Sequence, residues 1–355
     1  MDARDISSEL LQKVIDAVND NSPLQIHGGK TKQFLGRPAA GNALDVSAHR
    51  GIINYEPTEL VITARSGTPL KFLEQTLADN NQMLAFEPPH FGQDATLGGA
   101  IACNLSGPRR PYAGAARDFV LGMRLINGQA GRVRFGGEVM KNVAGYDVSR
   151  LMTGAMGTLG VLLDISLKVL PKPGYECTLM QTLTVQQALD NMHYWAQRPL
   201  PVSATCYDGE ALYIRLSGTP RTVDAAIKTI GGDQVDAAGH YWQQLKEHGH
   251  AFFQRSEPLW RLSLASDTPP MPLDGDWCYE WGGAQRWLVS GLPADVIQRA
   301  ASAAGGHATL YRQHGMQHEH VFQPLSAGLK RIHQRLKSAM DPHGIFNPGR
   351  LYQGI

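Results

Sequence analysis

Glu87-Pro88-Pro89-His90-Phe91-Gly92, then Thr96-Leu97-Gly98-Gly99-Ala100-Ile101-Ala102-Cys103-Asn104-Leu105-Ser106-Gly107, opens a glycine-punctuated stretch. It continues through Lys141-Asn142-Val143-Ala144-Gly145-Tyr146-Asp147 and closes with Gly154-Ala155-Met156-Gly157-Thr158-Leu159-Gly160. Glycine costs backbone entropy, so this density is useful where φ must be positive or where main chain must approach something flat or charged. A large, partly planar ligand lying along the backbone accounts for it; a turn-rich β domain without a ligand is the plainer alternative.

Outside that stretch the composition is ordinary. The chain has 355 residues, a length that suggests about two domains. Hydrophobic residues make up 43% and charged residues 18%, as in a soluble enzyme. A net charge of +1 points to neither nucleic acid nor an anionic membrane. Cys103, Cys177, Cys206 and Cys278 show no C-x-x-C spacing. They suit neither an iron–sulfur cluster nor a disulfide framework, and a reduced cytoplasmic setting is expected. No apolar run is long enough to span a bilayer.

Toward the amino terminus, Ile6, Leu10, Leu11, Val14, Ile15 and Val18 fall at helical spacing, with Asp5 or Ser7 as the cap. A short strand over 24–27 leads into Gly28-Gly29-Lys30-Thr31-Lys32. That loop imitates a P-loop, but the first glycine of G-x-x-x-x-G-K-[ST] would have to be residue 24, which is Leu24, and Pro38 interrupts the helix that should follow. What survives is a Gly-Gly turn whose N–H groups can form an anion nest; a plain hairpin turn is the bland reading. Strands are expected over 51–55, 60–64 and 82–86, with a helix from Pro69 to about Ala78 capped by Thr68. The runs 119–126 and 129–135 read as a hairpin around Asn127-Gly128, loosened by Gly131. Alternation from Val161 to Val169 marks a half-buried strand, and Pro171 and Pro173 end the first domain.

Beyond the prolines, strands over 178–183, 202–206 and 211–216 alternate with helices over 185–197, capped by Thr184, and 220–230. A looser second copy follows over 259–311, making an α/β sandwich with an antiparallel sheet. The segment 231–257 has no clear pattern. Leu325, Leu329, Ile332, Leu336 and Met340 mark a final amphipathic helix stopped by Asp341-Pro342-His343-Gly344, before a turn-rich tail, Asn347-Pro348-Gly349-Arg350.

Taken in order, the Gly28-Gly29 loop, Thr96-Leu97-Gly98-Gly99, Asn104-Leu105-Ser106-Gly107, the 141–147 segment, Gly157-Thr158-Leu159-Gly160 and the Asn347–Arg350 tail resemble the FAD-binding domain of the vanillyl-alcohol-oxidase (PCMH) type, shared with D-lactate dehydrogenases. The short length, Pro108-Arg109-Arg110-Pro111-Tyr112 and Arg134-Phe135-Gly136-Gly137 most resemble the FAD-binding E subunit family of bacterial glycolate oxidase. The fold implied is α+β: a PCMH-type FAD-binding domain of two α/β subdomains over 1–173, a ferredoxin-like α/β sandwich cap over 174–320, and a helix and tail over 321–355 returning to the FAD domain.

The resemblance implies that His27, Gly28, Gly29, Lys30 and Thr31 wrap the pyrophosphate. Thr96, Leu97, Gly98, Gly99, Ala102, Asn104 and Ser106 would lie along the ribityl chain and ring, and Asn142, Gly157, Gly160 and Val161 would complete the cavity. Relatives that tether flavin carry histidine where this chain has Thr31, so dissociable FAD is expected. A 2-hydroxy acid also needs a cation for its carboxylate, and Arg109, Arg110 and Arg117 are the nearest; no base is assigned. His314, His318, Glu319 and His320 imitate a metal cluster, but Gly315 argues against a firm helix and no metal is expected. The activity implied is oxidation of glycolate to glyoxylate within a complex containing a second flavoprotein and an iron–sulfur subunit, in the cytoplasm and at the inner membrane only through those partners. A self-sufficient FAD-dependent D-2-hydroxyacid dehydrogenase and a non-catalytic assembly subunit are the alternatives.

Overall fold

The computed structural model describes residues 2–137, 146–313 and 320–355. The chain forms two compact units, Met1–Ser106 with Gly114–Lys172 and Pro324–Ile355, and Gly107–Ala113 with Pro173–Gln323. The segment 107–113, which carries Arg109 and Arg110, therefore belongs to the second unit rather than to the chain on either side of it.

The first unit begins with the helix Ser7–Asn19, which buries Leu10, Val14 and Ala17. Neither polar residue caps it conventionally: Ile6 occupies the cap, and Asp5 Oδ1 accepts the Ser7 N–H at 2.8 Å just outside. This helix covers a parallel pair, Leu24–His27 and Asn42–Asp45. Leu10, Val14, Leu24, Leu44 and Phe346 share one cluster with Val161 and Leu163 from the neighbouring sheet. Burying each such side chain contributes about 1.5–3 kcal/mol.

That neighbouring sheet is five-stranded and antiparallel. Its order is Ile52–Glu56, Val61–Arg65, Val161–Lys168, Val120–Ile126 and Arg132–Gly136. The central strand Val161–Lys168 is buried along nearly its whole length. Its alternating polar residues do not face open water as the sequence pattern suggests. Asp164 meets Arg124, and Ser166 Oγ lies 2.8 Å from Thr63 Oγ1. The strand near Gln82 is only two residues long, Gln82–Met83, paired with Leu170–Pro171. The helix Leu70–Ala78 lacks a side-chain cap, because Thr68 Oγ1 instead accepts the Gly51 N–H at 2.9 Å. The hairpin turn is a five-residue loop with Ala130 at φ +55°, closed by Asn127 N–H donating to the Gly131 carbonyl at 3.0 Å.

In the second unit an eight-stranded sheet runs in the order Asp233–Gln234, Tyr175–Thr182, Ala211–Gly218, Val202–Tyr207, Asp276–Glu280, Gln285–Val289, Leu259–Ser263 and His307–Arg312. Helices Val185–Ala196 and Pro220–Ile230 pack Leu189, Trp195 and Val223 on its first half. Ala294–Ala303 packs Ile297 and Ala301 on the second half. The Thr184 hydroxyl caps its helix by accepting the Gln187 N–H. The patternless 231–257 segment contains the helix Ala238–Lys246, whose Trp242 indole donates to Thr178 Oγ1 at 2.9 Å. The segment nonetheless buries Trp242, Leu245, Phe252 and Phe253, with Phe253 edge-on to Trp287 of the sheet.

The final helix is Ala327–Met340, begun by Ser326, whose hydroxyl accepts the Leu329 N–H. Its one buried residue is Lys337, not a member of the apolar stripe. The Lys337 ammonium donates to the carbonyls of Thr158 at 2.8 Å and Phe346 at 2.7 Å, and to Asp341 Oδ2 at 2.7 Å. Burial pulls its pKa below the ordinary value, while the hydrogen bond and charge of Asp341 hold it up. Asp341 in turn accepts the N–H groups of Ile345 and Phe346. Lys337→Met should therefore cost about 3–5 kcal/mol, because it strands a buried carboxylate. Urea denaturation checks this, and a loss within about 0.5 kcal/mol of zero, the range of an ordinary surface change, would contradict it.

Candidate functional site

The first unit contains one cleft that gathers most of the glycine-rich motifs. Its empty space, including the open mouth, is about 920 Å³. One wall is the loop from Gln25 to Gln33, a second is Ser66 with Thr96, Gly98, Gly99, Ala102 and Cys103, and a third is Met156, Gly157, Gly160 and Leu162. Asn347 and Arg350 complete it from the carboxy-terminal turn.

The first wall owes its form to glycine. A Cβ at Gly29 would sit 1.5 Å from the Asp94 carbonyl oxygen, and one at Gly28 would sit 2.6 Å from Thr96 Oγ1. Lys30 adopts φ +58°, which turns the loop sharply. Val46 N–H caps the strand by donating to the His27 carbonyl, and Gln33 N–H returns to Lys30. The amide N–H groups of Gly28, Gly29, Lys30 and Thr31 donate to no described residue. Consecutive unanswered donors around a tight turn form a concavity suited to an anion.

The second wall is a short helix, Leu97–Cys103, capped by Thr96, whose hydroxyl accepts the Gly99 N–H at 3.2 Å. It lies close to the sheet because Gly98 N–H donates to the Ser66 carbonyl at 2.7 Å, and a Cβ at Gly98 would meet Ser66 Cβ at 2.7 Å. Gly99 differs: the nearest atom to an added Cβ is Thr96 Oγ1 at 3.2 Å, so its open side belongs to the cleft. Ser66 is wholly buried, and its hydroxyl has no hydrogen-bond partner; both ring nitrogens of His27 likewise lack one. Buried polar atoms in folded proteins are satisfied, so these mark places for a ligand's polar groups.

The third wall docks on the same helix through Gly154 N–H to the Ile101 carbonyl and Met156 N–H to the Ala102 carbonyl. Asn347 ties it to the first wall: its carboxamide oxygen accepts the Ile26 N–H at 2.7 Å, and its NH₂ donates to the Met156 carbonyl at 2.7 Å. Arg350 fixes the turn beyond by donating to the carbonyls of Arg37 and Gln33. Burial raises the Cys103 thiol pKa, against the attraction of Lys32 and Arg350. The charge in the cleft is basic, with Lys30, Lys32 and Arg350 on its lining.

Of the residues expected from sequence, His27, Gly28, Gly29, Lys30, Thr31, Thr96, Gly98, Gly99, Ala102, Gly157 and Gly160 line this cleft. Four others do not. Leu97 and Val161 are core side chains. Asn104 closes the short helix in a left-handed conformation at φ +50°, although its buried Oδ1, like the Ser66 hydroxyl, has no hydrogen-bond partner among the described residues. Ser106 Oγ accepts the Ala116 N–H at 3.0 Å. Asn142 lies outside the described residues, as do His314, His318 and Glu319. Among the described residues no three His, Cys, Asp or Glu side chains could hold a metal. Arg109 is committed within the second unit to Glu176 at 2.6 Å, and Arg110 covers the Trp281 ring. Arg117 is exposed.

Sequence reading did not single out Ser66, Lys32 or Cys103, nor the side chains of Asn347 and Arg350. Ser66 precedes a lone Gly67, too weak a signal alone. Among the described residues no helix is long and apolar enough to cross a membrane.

Residues 7–136 match the family model described as FAD binding domain. "Glycolate oxidase subunit GlcE" of Escherichia coli K12 is 52% identical over 98% of both chains. A D-lactate dehydrogenase of Anaerostipes hadrus is 31% identical over 47% of this chain and 35% of its own. Among solved structures, p-cresol methylhydroxylase with substrate bound superposes with a TM-score of 0.74, covering 98% of this chain and 87% of that one at 16% identity.

Asn347→Ala should leave the Ile26 amide and the Met156 carbonyl unsatisfied and cost about 2–4 kcal/mol. Thermal unfolding of the variant measures it, and an unchanged midpoint would show that the turn does not brace the cleft.

Proposed function

Because the chain belongs to the glycolate oxidase E-subunit family, we propose that it is the FAD-binding subunit of a complex that oxidises glycolate to glyoxylate and passes the electrons to an iron–sulfur partner. A second flavoprotein subunit completes the complex. The observation that carries this reading is the row of unanswered amides from Gly28 to Thr31 on one wall of a cleft whose other walls are Gly98-Gly99 and Gly157–Gly160.

The residues present fit FAD. Bound FAD supplies the two-electron acceptor for the substrate carbon. The loop amides meet the diphosphate charge, with Lys30 adding a cation near it. Gly99 and Ala102 keep the second wall free of bulk, so that a flat ring system can lie against main chain. The Ser66 hydroxyl and the His27 ring gain from such a ligand the hydrogen bonds they otherwise lack. Thr31 offers no imidazole to a flavin methyl group, so the cofactor is held by these contacts alone.

Purified protein should be yellow with one FAD per chain, and acid precipitation should release the flavin completely into the supernatant. Flavin left in the pellet would contradict the non-covalent assignment. Gly99→Leu tests the cleft itself. A Cβ there meets Thr96 Oγ1 at 3.2 Å, so the capping hydroxyl must give by a few tenths of an ångström. The apoprotein should lose no more than about 2 kcal/mol, the worth of a helix cap, while FAD affinity falls by about a hundredfold or more. Unchanged FAD affinity, read by flavin fluorescence titration, would place the cofactor elsewhere.

A further inference from the structure

The helix Ala327–Met340 is hard to explain as part of a lone chain. Leu329, Ile332, Leu336 and Met340 fall at successive i, i+3 and i+4 steps and form one stripe. Leu329 is 50% and Ile332 55% exposed, and Leu336 is only half-buried. The helix is held at its carboxy-terminal end, where Lys337 is bonded and the Met340 carbonyl accepts the Gly128 N–H at 2.9 Å. His333, edge-on to Tyr352, is its other inward contact.

Its charge is equally one-sided. Lys330, Arg331, Arg335 and Lys337 are its ionisable residues besides His333, and it contains no acid. Arg331 and Arg335 stand four apart, a like-charge pairing that weakens a helix, and no internal Glu–Lys pair offsets it. Short helices are marginal in water without packing on an apolar face. Here the amino-terminal half of the apolar face, Leu329 and Ile332, is left open, with Arg335 one turn from Ile332.

We propose that this stripe, with Arg335 beside it and Arg331 one turn before Arg335, docks into an apolar groove rimmed by carboxylates on a companion subunit of the oxidase. The inference rests on the reading of this chain as a subunit. Such a groove covers Leu329 and Ile332 and supplies the negative charge that the helix lacks, the helix-in-groove mode of recognition. A lipid surface suits it less well. The stripe has no aromatic residue, and two exposed branched side chains offer less apolar anchorage than a single acyl chain, which itself binds membranes only reversibly.

The test is co-expression of the tagged chain with the companion subunits of the glycolate oxidase complex, followed by affinity purification. The double variants Leu329→Glu with Ile332→Glu, and Arg331→Glu with Arg335→Glu, should retain FAD and the melting temperature of the unaltered chain. Recovery of companion subunits should fall by about tenfold or more with each. Full recovery with both variants overturns the proposal. So does unaltered chain that by itself sediments with phosphatidylglycerol vesicles, or self-associates on gel filtration, if Leu329→Glu with Ile332→Glu abolishes that behaviour. Flavin-free unaltered protein would sink the cofactor reading while leaving the subunit recovery readable.

Discussion

Two side chains near the carboxy terminus, Lys337 and Asn347, hold together pieces of chain that sequence keeps far apart. Lys337 gathers the Thr158 and Phe346 carbonyls and the Asp341 carboxylate; Asn347 joins Ile26 to Met156. Leu24 N–H donates to the Ile345 carbonyl and Asn347 N–H to the Leu24 carbonyl, so the tail meets the first strand in a single parallel β-bridge at Leu24 and Phe346. A glycine-rich loop has little side-chain contact to define its position. Fixed partners on both sides take over that role, and they are buried, where hydrogen bonds left unmade are expensive.

With the walls braced, the cleft works through main chain. Gly29 and Gly98 are places where any Cβ would collide with backbone or with Ser66, so they exist for closeness within the protein. Gly99 is looser, with only Thr96 Oγ1 at 3.2 Å from an added Cβ, and it lines the cleft. The two functions of glycine are adjacent in the chain and indistinguishable in the sequence. The consequence for chemistry is that the Gly28–Thr31 turn offers amides, which carry fixed direction and no titration, beside the side chains of Lys30, His27 and Ser66. This leaves redox chemistry to the flavin and asks of the chain mainly shape and polarity.

The second unit illustrates a different economy. Its sheet buries Trp260, Leu262, Leu288 and Leu310 against one helix and Leu179, Leu212 and Leu216 against others, while Arg109, Glu176 and Ser217 form a polar cluster at one edge. Arg109 belongs to a seven-residue excursion of the chain, Gly107–Ala113, and its guanidinium is committed there. A substrate-binding role read from its position in sequence overlooks that commitment.

What the sequence by itself determined was the helices and strands of an α+β chain and the loops that make a cleft, because glycine spacing, apolar periodicity and turn residues are local properties that survive without knowledge of neighbours. The PCMH-type fold came from the resemblance of the ordered motifs to a known family. Thr184 could be read as a cap because a cap needs only the next three residues. The tertiary structure alone decided which polar residues are answered and which are not. Thr68 looked like a cap and went to Gly51, and Ser106 accepts from Ala116, whereas Ser66, unremarked in the chain, is a buried hydroxyl on the cleft left without a hydrogen-bond partner among the described residues. It also decided that the apolar stripe of Ala327–Met340 faces outward. Hydrogen-bond satisfaction and burial depend on what the rest of the chain brings alongside, and no local pattern carries that information.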